Sequence, residues 1–191
     1  MEKGHIYFIM GPSGSGKGTL RKNLENENLE NIKFLKSYVS RPMRPGEKDG
    51  DIYNFISKED FLKGIEAGEF LEYALVHKKH YYGTKYDDII TNGINKGRKV
   101  IKELDINGLL KLKKQRPELS NDYTSIFLNL PLDKLRERIY SRGHDMSESE
   151  FQNRLDSAKN EYLYALDYCD FIVNANQTPQ EVLEEVKKII F

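Results

Sequence analysis

Cysteine is almost missing from this sequence of 191 residues: Cys169 is the only one. A single thiol excludes an intramolecular disulfide and a cysteine-based structural zinc site. Net charge is missing as well, because 30 Lys and Arg balance 30 Asp and Glu. That balance argues against a globally basic nucleic-acid binder and against an acidic solvating tail. No apolar run approaches the roughly 20 residues that a membrane-spanning helix needs. The first run, Ile6–Met10, is too short for a signal-peptide core and leads straight into a glycine-rich stretch. The expectation is a cytoplasmic protein with no membrane or nucleic-acid partner. Internal repeats and low-complexity linkers are lacking too. With 38 % apolar and 31 % charged residues, the chain suits one α/β domain with a very polar surface.

What is present follows an alternating rhythm. Ile6-Tyr7-Phe8-Ile9-Met10 is a short continuous apolar run, the mark of a strand buried on both faces of a parallel sheet. The segment from Lys17 to about Asn28 carries Leu20 and Leu24 at helical spacing. Ser125–Leu130 and Phe171–Asn174 read as further buried strands. Between them, Ser147 and Glu150 form a candidate capping box for a helix with Phe151, Leu155, Tyr162 and Leu166 on its apolar side. Thr178, Pro179 and Glu181 give the same start signal for a last helix ending at Ile190. Strands separated by helices predict a parallel sheet wound on both faces. From about residue 36 to 92 the rhythm breaks. Pro42, Pro45, Gly46, Gly50, Tyr53 and Gly83 interrupt short strand-like segments, with one helix expected over Lys58–Ala67. This stretch is predicted to be an inserted small subdomain with a mixed sheet.

Between the first strand and first helix lies Gly11-Pro12-Ser13-Gly14-Ser15-Gly16-Lys17-Gly18-Thr19. Glycines let the backbone wrap with its N–H groups inward, and the helix N-terminus adds its positive dipole end. Lys17 supplies a point charge for β- and γ-phosphates. Three glycines, a lysine and the strand–loop–helix context together mark a nucleotide-phosphate site. The strict pattern ends Gly-Lys-Ser/Thr, whereas Gly18 follows the lysine here. A magnesium-binding hydroxyl would have to come from Thr19, and otherwise the ion would be held through water and the nucleotide phosphates.

The downstream segments resemble the guanylate kinase family in the family's own order. They are Ser37–Glu47, Gly50–Phe55, Gly68–Tyr73, Tyr81–Thr84, Val100–Gly108, Leu135–Gly143, Arg154 and Asp170–Asn174. The resemblance covers essentially the whole chain. It implies a phosphate-loop core (about 1–35, 93–137 and 160–191), a GMP-binding subdomain (about 36–92) and an arginine-bearing lid (about 138–159), closing about hinges near residues 36 and 92. It implies that Arg41, Arg44, Tyr53 and Tyr82 hold the monophosphate, a sensible cage of guanidinium forks and phenol donors. Ser37, Glu72 and Thr84, with Gly83 between the last strand residues, would read the base. Guanine offers N1–H and a 2-amino group side by side, which one ionised Glu72 can accept together. Adenine turns a lone pair toward the same carboxylate. Ser37 and Thr84 hydroxyls would face O6 and N7.

By the same resemblance Asp105 binds the acceptor or orients magnesium-bound water, with Glu103 beside it. As strand residues two apart, both would project to one face. Lys102 and Asn107 depart from the family's apolar residue and glutamine, and a buried lysine in a central strand needs a partner. Arg138 and Arg142, four apart on one helical face, and Arg154 would close over ATP and balance charge on the transferring group. The resemblance thus implies Mg²⁺-assisted transfer from ATP to GMP by a monomer or homodimer. A same-fold kinase with another acceptor, such as dGMP, and a non-catalytic phosphopeptide-binding module are the rival expectations. His5, His77, His80 and His144 lack metal-ligand spacing, and Lys78–His80 reads as an exposed turn.

Overall fold

The computed structural model describes residues 3–76, 79–142 and 147–191, with the backbone alone for residues 141 and 142. His77, Lys78, Gly143 and His144 lie outside the described residues, as does the side chain of Arg142. The elements are β1 (His5–Met10), α1 (Lys17–Asn26), β2 (Ile32–Leu35), β3 (Ser37–Val39), β4 (Tyr53–Phe55), α2 (Lys58–Glu66), β5 (Phe70–Val76) and β6 (His80–Lys85). They continue with β7 (Lys99–Glu103), α3 (Ile106–Gln115), β8 (Tyr123–Asn129), α4 (Leu132–Arg142), α5 (Glu148–Tyr168), β9 (Phe171–Asn174) and α6 (Pro179–Ile190).

Five strands form one sheet in the order β2-β7-β1-β8-β9, with the β2–β7 and β8–β9 pairs parallel. The alternation of strands and helices produces the wound parallel sheet that the apolar runs predict. Ile6–Met10 is buried throughout, as a strand covered on both faces must be. A second sheet, β4-β3-β6-β5, is mixed: β3 and β4 run parallel, while β6 is antiparallel to both β3 and β5.

Packing divides the chain into two compact units. The first holds the described residues up to Ile6 together with Asn31–Glu103 and Asn107–Tyr123. Its small sheet is supported by α2, whose Phe61 is fully buried and stacks on Phe70 at 4.2 Å between ring centroids and on Tyr81 at 5.3 Å. Ser57 caps that helix by accepting from the Asp60 backbone N–H. Gly83 sits in β6 because a Cβ there would lie 2.8 Å from the Glu72 carbonyl oxygen and 3.0 Å from Phe61. Its lack of a side chain lets β6 lie flat against the aromatic layer.

The second unit holds Tyr7–Glu30, Leu104–Ile106 and Thr124–Phe191. Both expected capping boxes form, Ser147 with Glu150 on α5 and Thr178 with Glu181 on α6, where Pro179 occupies the first turn. Helix α6 buries Val182, Leu183, Val186 and Ile190. Helix α5 buries Phe151, Leu155, Ala158 and Ala165, whereas Leu166 is 71 % exposed. The apolar stripe expected through Leu166 is therefore displaced by one position onto Ala165, where a small side chain permits close packing. Asp170 ties β8 to β9 by accepting from the Ser125 backbone N–H at 2.7 Å and its hydroxyl at 2.6 Å.

Candidate active site

The phosphate loop has the backbone its glycines promise. Gly11, Gly14 and Gly16 have φ of 137°, 99° and 106°, in the region that disfavours residues with a side chain. Gly16 is the residue from which α1 departs. The Ser15 hydroxyl is buried and has no hydrogen-bond partner among the described residues. Such an orphan in a glycine-wrapped loop at a helix N-terminus suits an anion. Lys17 donates from Nζ to the carbonyl oxygens of Gly11 at 2.5 Å and Pro12 at 3.2 Å, so its ammonium lies along the loop. Gly18 is exposed, and a Cβ there would meet nothing within 4 Å. Nothing in the loop's geometry requires glycine at that position.

Beside the loop lies a pocket of about 220 Å³ between Ser15, Gly16, Thr19 and Arg138 on one side and Ala175, Gln177 and Pro179 on the other. Arg138 Nη1 reaches the Gly14 carbonyl oxygen at 3.4 Å. Sequence reasoning missed the residues from 175 to 179. The signal available was positional: they join the carboxyl end of parallel strand β9 to α6, where open α/β sheets bind ligands.

The mixed sheet aligns most of the acceptor residues. Ser37 pairs with Tyr53 across β3–β4, and Glu72 pairs with Thr84 across β5–β6. The register that pairs Tyr38 with Gly83 puts Ser37 in line with Thr84. Tyr53, Ser37, Thr84 and Glu72 thus form one row across four strands. Thr84 is buried and donates its hydroxyl proton to Glu72 Oε1 at 2.6 Å. In this structure the proton goes to Glu72, so Thr84 orients the carboxylate. Lys102 is 3 % exposed, and its ammonium donates to Ser37 Oγ at 2.6 Å. Ser37 is thus one partner of this buried lysine.

Arg41 lies at the other end of this sheet and is buried. It forms a bidentate pair with Glu47, both bonds at 2.6 Å, and donates from Nε to the Tyr82 hydroxyl at 3.1 Å and from Nη1 to the Pro42 carbonyl at 2.9 Å. The pair holds the Arg41 guanidinium more firmly protonated and pulls the Glu47 carboxyl down to about 2. Because Tyr82 accepts from Arg41, its own proton is directed elsewhere. Tyr53 packs edge-on against Tyr82 at 5.9 Å, and burial pushes its phenol up, keeping it a neutral donor. Arg44 is exposed, and its backbone N–H also donates to Glu47, at 2.7 Å. Glu47 was not among the expected site residues. It lies in a Pro/Gly-rich loop, where no periodicity announces a contact.

The acidic segment departs from its expected form. Strand β7 stops at Glu103, Asp105 lies in the turn after it, and α3 begins at Ile106. Glu103 and Asp105 therefore do not share a strand face; an Asp ahead of a helix start is the residue type favoured there. Asp105 is exposed and Glu103 half-buried. Glu161 on α5, unnoticed in the sequence, is half-buried; burial pushes its carboxyl up, while the Lys17 charge pulls it down and Asp105 pushes it up. Arg154 is exposed on α5. No group of three or more His, Cys, Asp or Glu among the described residues converges as a metal site. The exposed Thr19 hydroxyl beside the loop fits a hard cation bound mainly by phosphates and water.

A glycine-wrapped phosphate loop on a wound parallel sheet, joined in one chain to a mixed sheet carrying a cationic and an anionic end, defines a phosphate-loop nucleotide kinase. Comparison with known proteins narrows this class. The family model described as guanylate kinase matches residues 3–191. The guanylate kinase of Thermotoga maritima is 39 % identical over 188 residues, covering 98 % of this chain and 86 % of that protein. That of Oceanobacillus iheyensis is 38 % identical over 190 residues, covering 99 % and 87 %. The crystal structure of guanylate kinase from Anaplasma phagocytophilum superposes with a TM-score of 0.74 at 26 % identity, covering 99 % of this chain and 85 % of that one. The chain belongs to the guanylate kinase family, and it is an enzyme, a nucleoside monophosphate kinase.

Proposed function

We propose that this chain transfers the γ-phosphoryl group of ATP to GMP, giving ADP and GDP, with the residues of the two units in the following roles. Free backbone N–H groups of the loop, the Ser15 hydroxyl and Lys17 hold the donor's phosphates. The pocket lined by Arg138, Ala175, Gln177 and Pro179 takes the adenine end. The Thr19 hydroxyl, with water and the ATP phosphates, would hold Mg²⁺, which would supply charge neutralisation on the donor. Arg44, Tyr53 and Tyr82 donate to the GMP phosphate, and Arg41, pinned by Glu47, adds its positive field and orients Tyr82. Glu72, aligned by Thr84, accepts N1–H and the 2-amino group of guanine.

The acceptor oxygen is already ionised, so no general base is required, and catalysis consists of alignment and electrostatic stabilisation. Arg138, Arg142 and Arg154 balance the charge spread over the transferring group, with Asp105 and Glu103 on the acceptor side. Closure of the segment at about 36–92 and of the lid at about 138–159 excludes water, which would otherwise accept the phosphoryl group. The observation that carries this reading is the row Tyr53–Ser37–Thr84–Glu72, ending in a carboxylate held by a hydroxyl, in a chain that also carries an orphan-bearing phosphate loop.

Its test is ADP release with GMP, dGMP, IMP, AMP, CMP and UMP as acceptors. GMP is expected to lead IMP and AMP by an order of magnitude or more, and Lys17→Ala to abolish turnover with every acceptor. AMP used as well as GMP would refute the role given to Glu72.

A further inference from the structure

Resting on that reading of the base site, we propose that Lys102 is a specificity-positioning residue: through Ser37 it aims a hydroxyl proton at the O6 edge of guanine. Two observations meet here. Thr84 gives its only hydroxyl proton to Glu72 Oε1 at 2.6 Å, so the O6 edge needs a donor from elsewhere. Ser37, one strand away in the same row, accepts at Oγ from the Lys102 ammonium at 2.6 Å. An ammonium carries three donors and no acceptor. Ser37 can only accept from it, and the serine's own proton must be given to another group. A hydroxyl that accepts from a cation is also polarised toward stronger donation.

The placement is built into the fold. Lys102 is 3 % exposed on β7, in register with Leu35 of β2, two residues ahead of Ser37 on the same run of chain. Burying a charge there is costly unless it is hydrogen-bonded. The family resemblance expects an apolar residue at this position, so the lysine gives up stability that an apolar side chain would supply. A positive field beside Ser37 attracts the carbonyl O6 and repels the 6-amino hydrogens of an adenine. The row thus reads a guanine from both edges, with a carboxylate opposite the donors N1–H and 2-NH₂ and a lysine-polarised hydroxyl opposite the acceptor O6.

The experiment compares GMP, 6-thio-GMP and IMP as acceptors for the wild type, Lys102→Met and Ser37→Ala. Sulfur at position 6 is a weak acceptor that leaves N1–H and the 2-amino group unchanged. IMP keeps O6 and lacks only the 2-amino group. The wild type is expected to favour GMP over 6-thio-GMP by ~10-fold or more in kcat/KM, the scale of a lost hydrogen bond to a polarised group. Lys102→Met should raise KM for GMP, leave KM for ATP unchanged, shrink the 6-thio penalty to about threefold or less, and keep the IMP penalty. Its melting temperature should hold or rise, which separates a positioning role from a structural one. Ser37→Ala, at a half-exposed position, should give the same loss, and the double variant no more than either single. An undiminished 6-thio penalty in Lys102→Met or in Ser37→Ala overturns the proposal. A wild type that uses IMP as well as GMP overturns the role of Glu72 instead, and the 6-thio comparison still decides that of Lys102.

Discussion

At the scale of single residues, charge is controlled by what each group is bonded to rather than by how many charges are present. Arg41 has five N–H donors. Four bonds among the described residues use them: two to Glu47, one to Tyr82 and one to Pro42. The Glu47 carboxyl, held at about 2 in the folded protein against an ordinary 4.5, loses its hold in acid. The pair's contribution to stability is complete above the ordinary carboxylate range and falls as pH drops from about 4.5 toward 2. Carboxyl carbon NMR should therefore find Glu47 titrating near 2, and Glu47→Gln should flatten the acid limb of the stability curve. For Glu72→Gln, the loss of a charged hydrogen-bonding partner is expected to cost GMP about 1.5–3 kcal/mol in kcat/KM, with KM for ATP unchanged. Residue identity announced Arg41, Tyr82 and Glu72 through resemblance. It was silent on Glu47 and Glu161, whose roles exist only as contacts made after folding.

At the scale of elements, local chemistry was legible wherever a side chain bonds its own neighbourhood. Both capping boxes could be read from Ser147/Glu150 and Thr178/Glu181, because the partners sit three residues apart in any helix start. Thr178→Ala should lower stability by about 1 kcal/mol in denaturant unfolding, the usual worth of such a cap. Strand β2 was not legible: it is four residues long, with Lys33 inside it, and only Leu35 is buried. Leu166 misled because helical spacing cannot tell which of two adjacent stripes a neighbouring surface will cover. Gly18 and Gly83 separate two kinds of glycine. With open space around Gly18, Gly18→Ala should leave the fold intact and stabilise α1 by up to about 1 kcal/mol. At Gly83 the added Cβ strikes the Glu72 carbonyl and Phe61, so Gly83→Ala should lower stability and weaken GMP binding together, read by melting temperature and by KM.

For the whole molecule, the alternation of buried strands with capped helices was enough to give the parallel sheet, and the dense prolines and tyrosines after residue 36 were enough to set apart the mixed one. The order β2-β7-β1-β8-β9 and the row across β4-β3-β6-β5 were not contained in any local pattern, since they depend on which strands meet. The proposed reading of the guanine base rests on that row. It places a carboxylate, two hydroxyls and a phenol in sequence, with the Lys102 ammonium on the Ser37 hydroxyl, and the proposed guanine edge complements that order of charge. The most direct measurement is a crystal structure of the protein with GMP bound. The account requires guanine N1–H and the 2-amino group on the Glu72 carboxylate, with the phosphate among Arg44, Tyr53 and Tyr82. A nucleotide seated with its base away from Glu72, or with its phosphate outside that cluster, would contradict it.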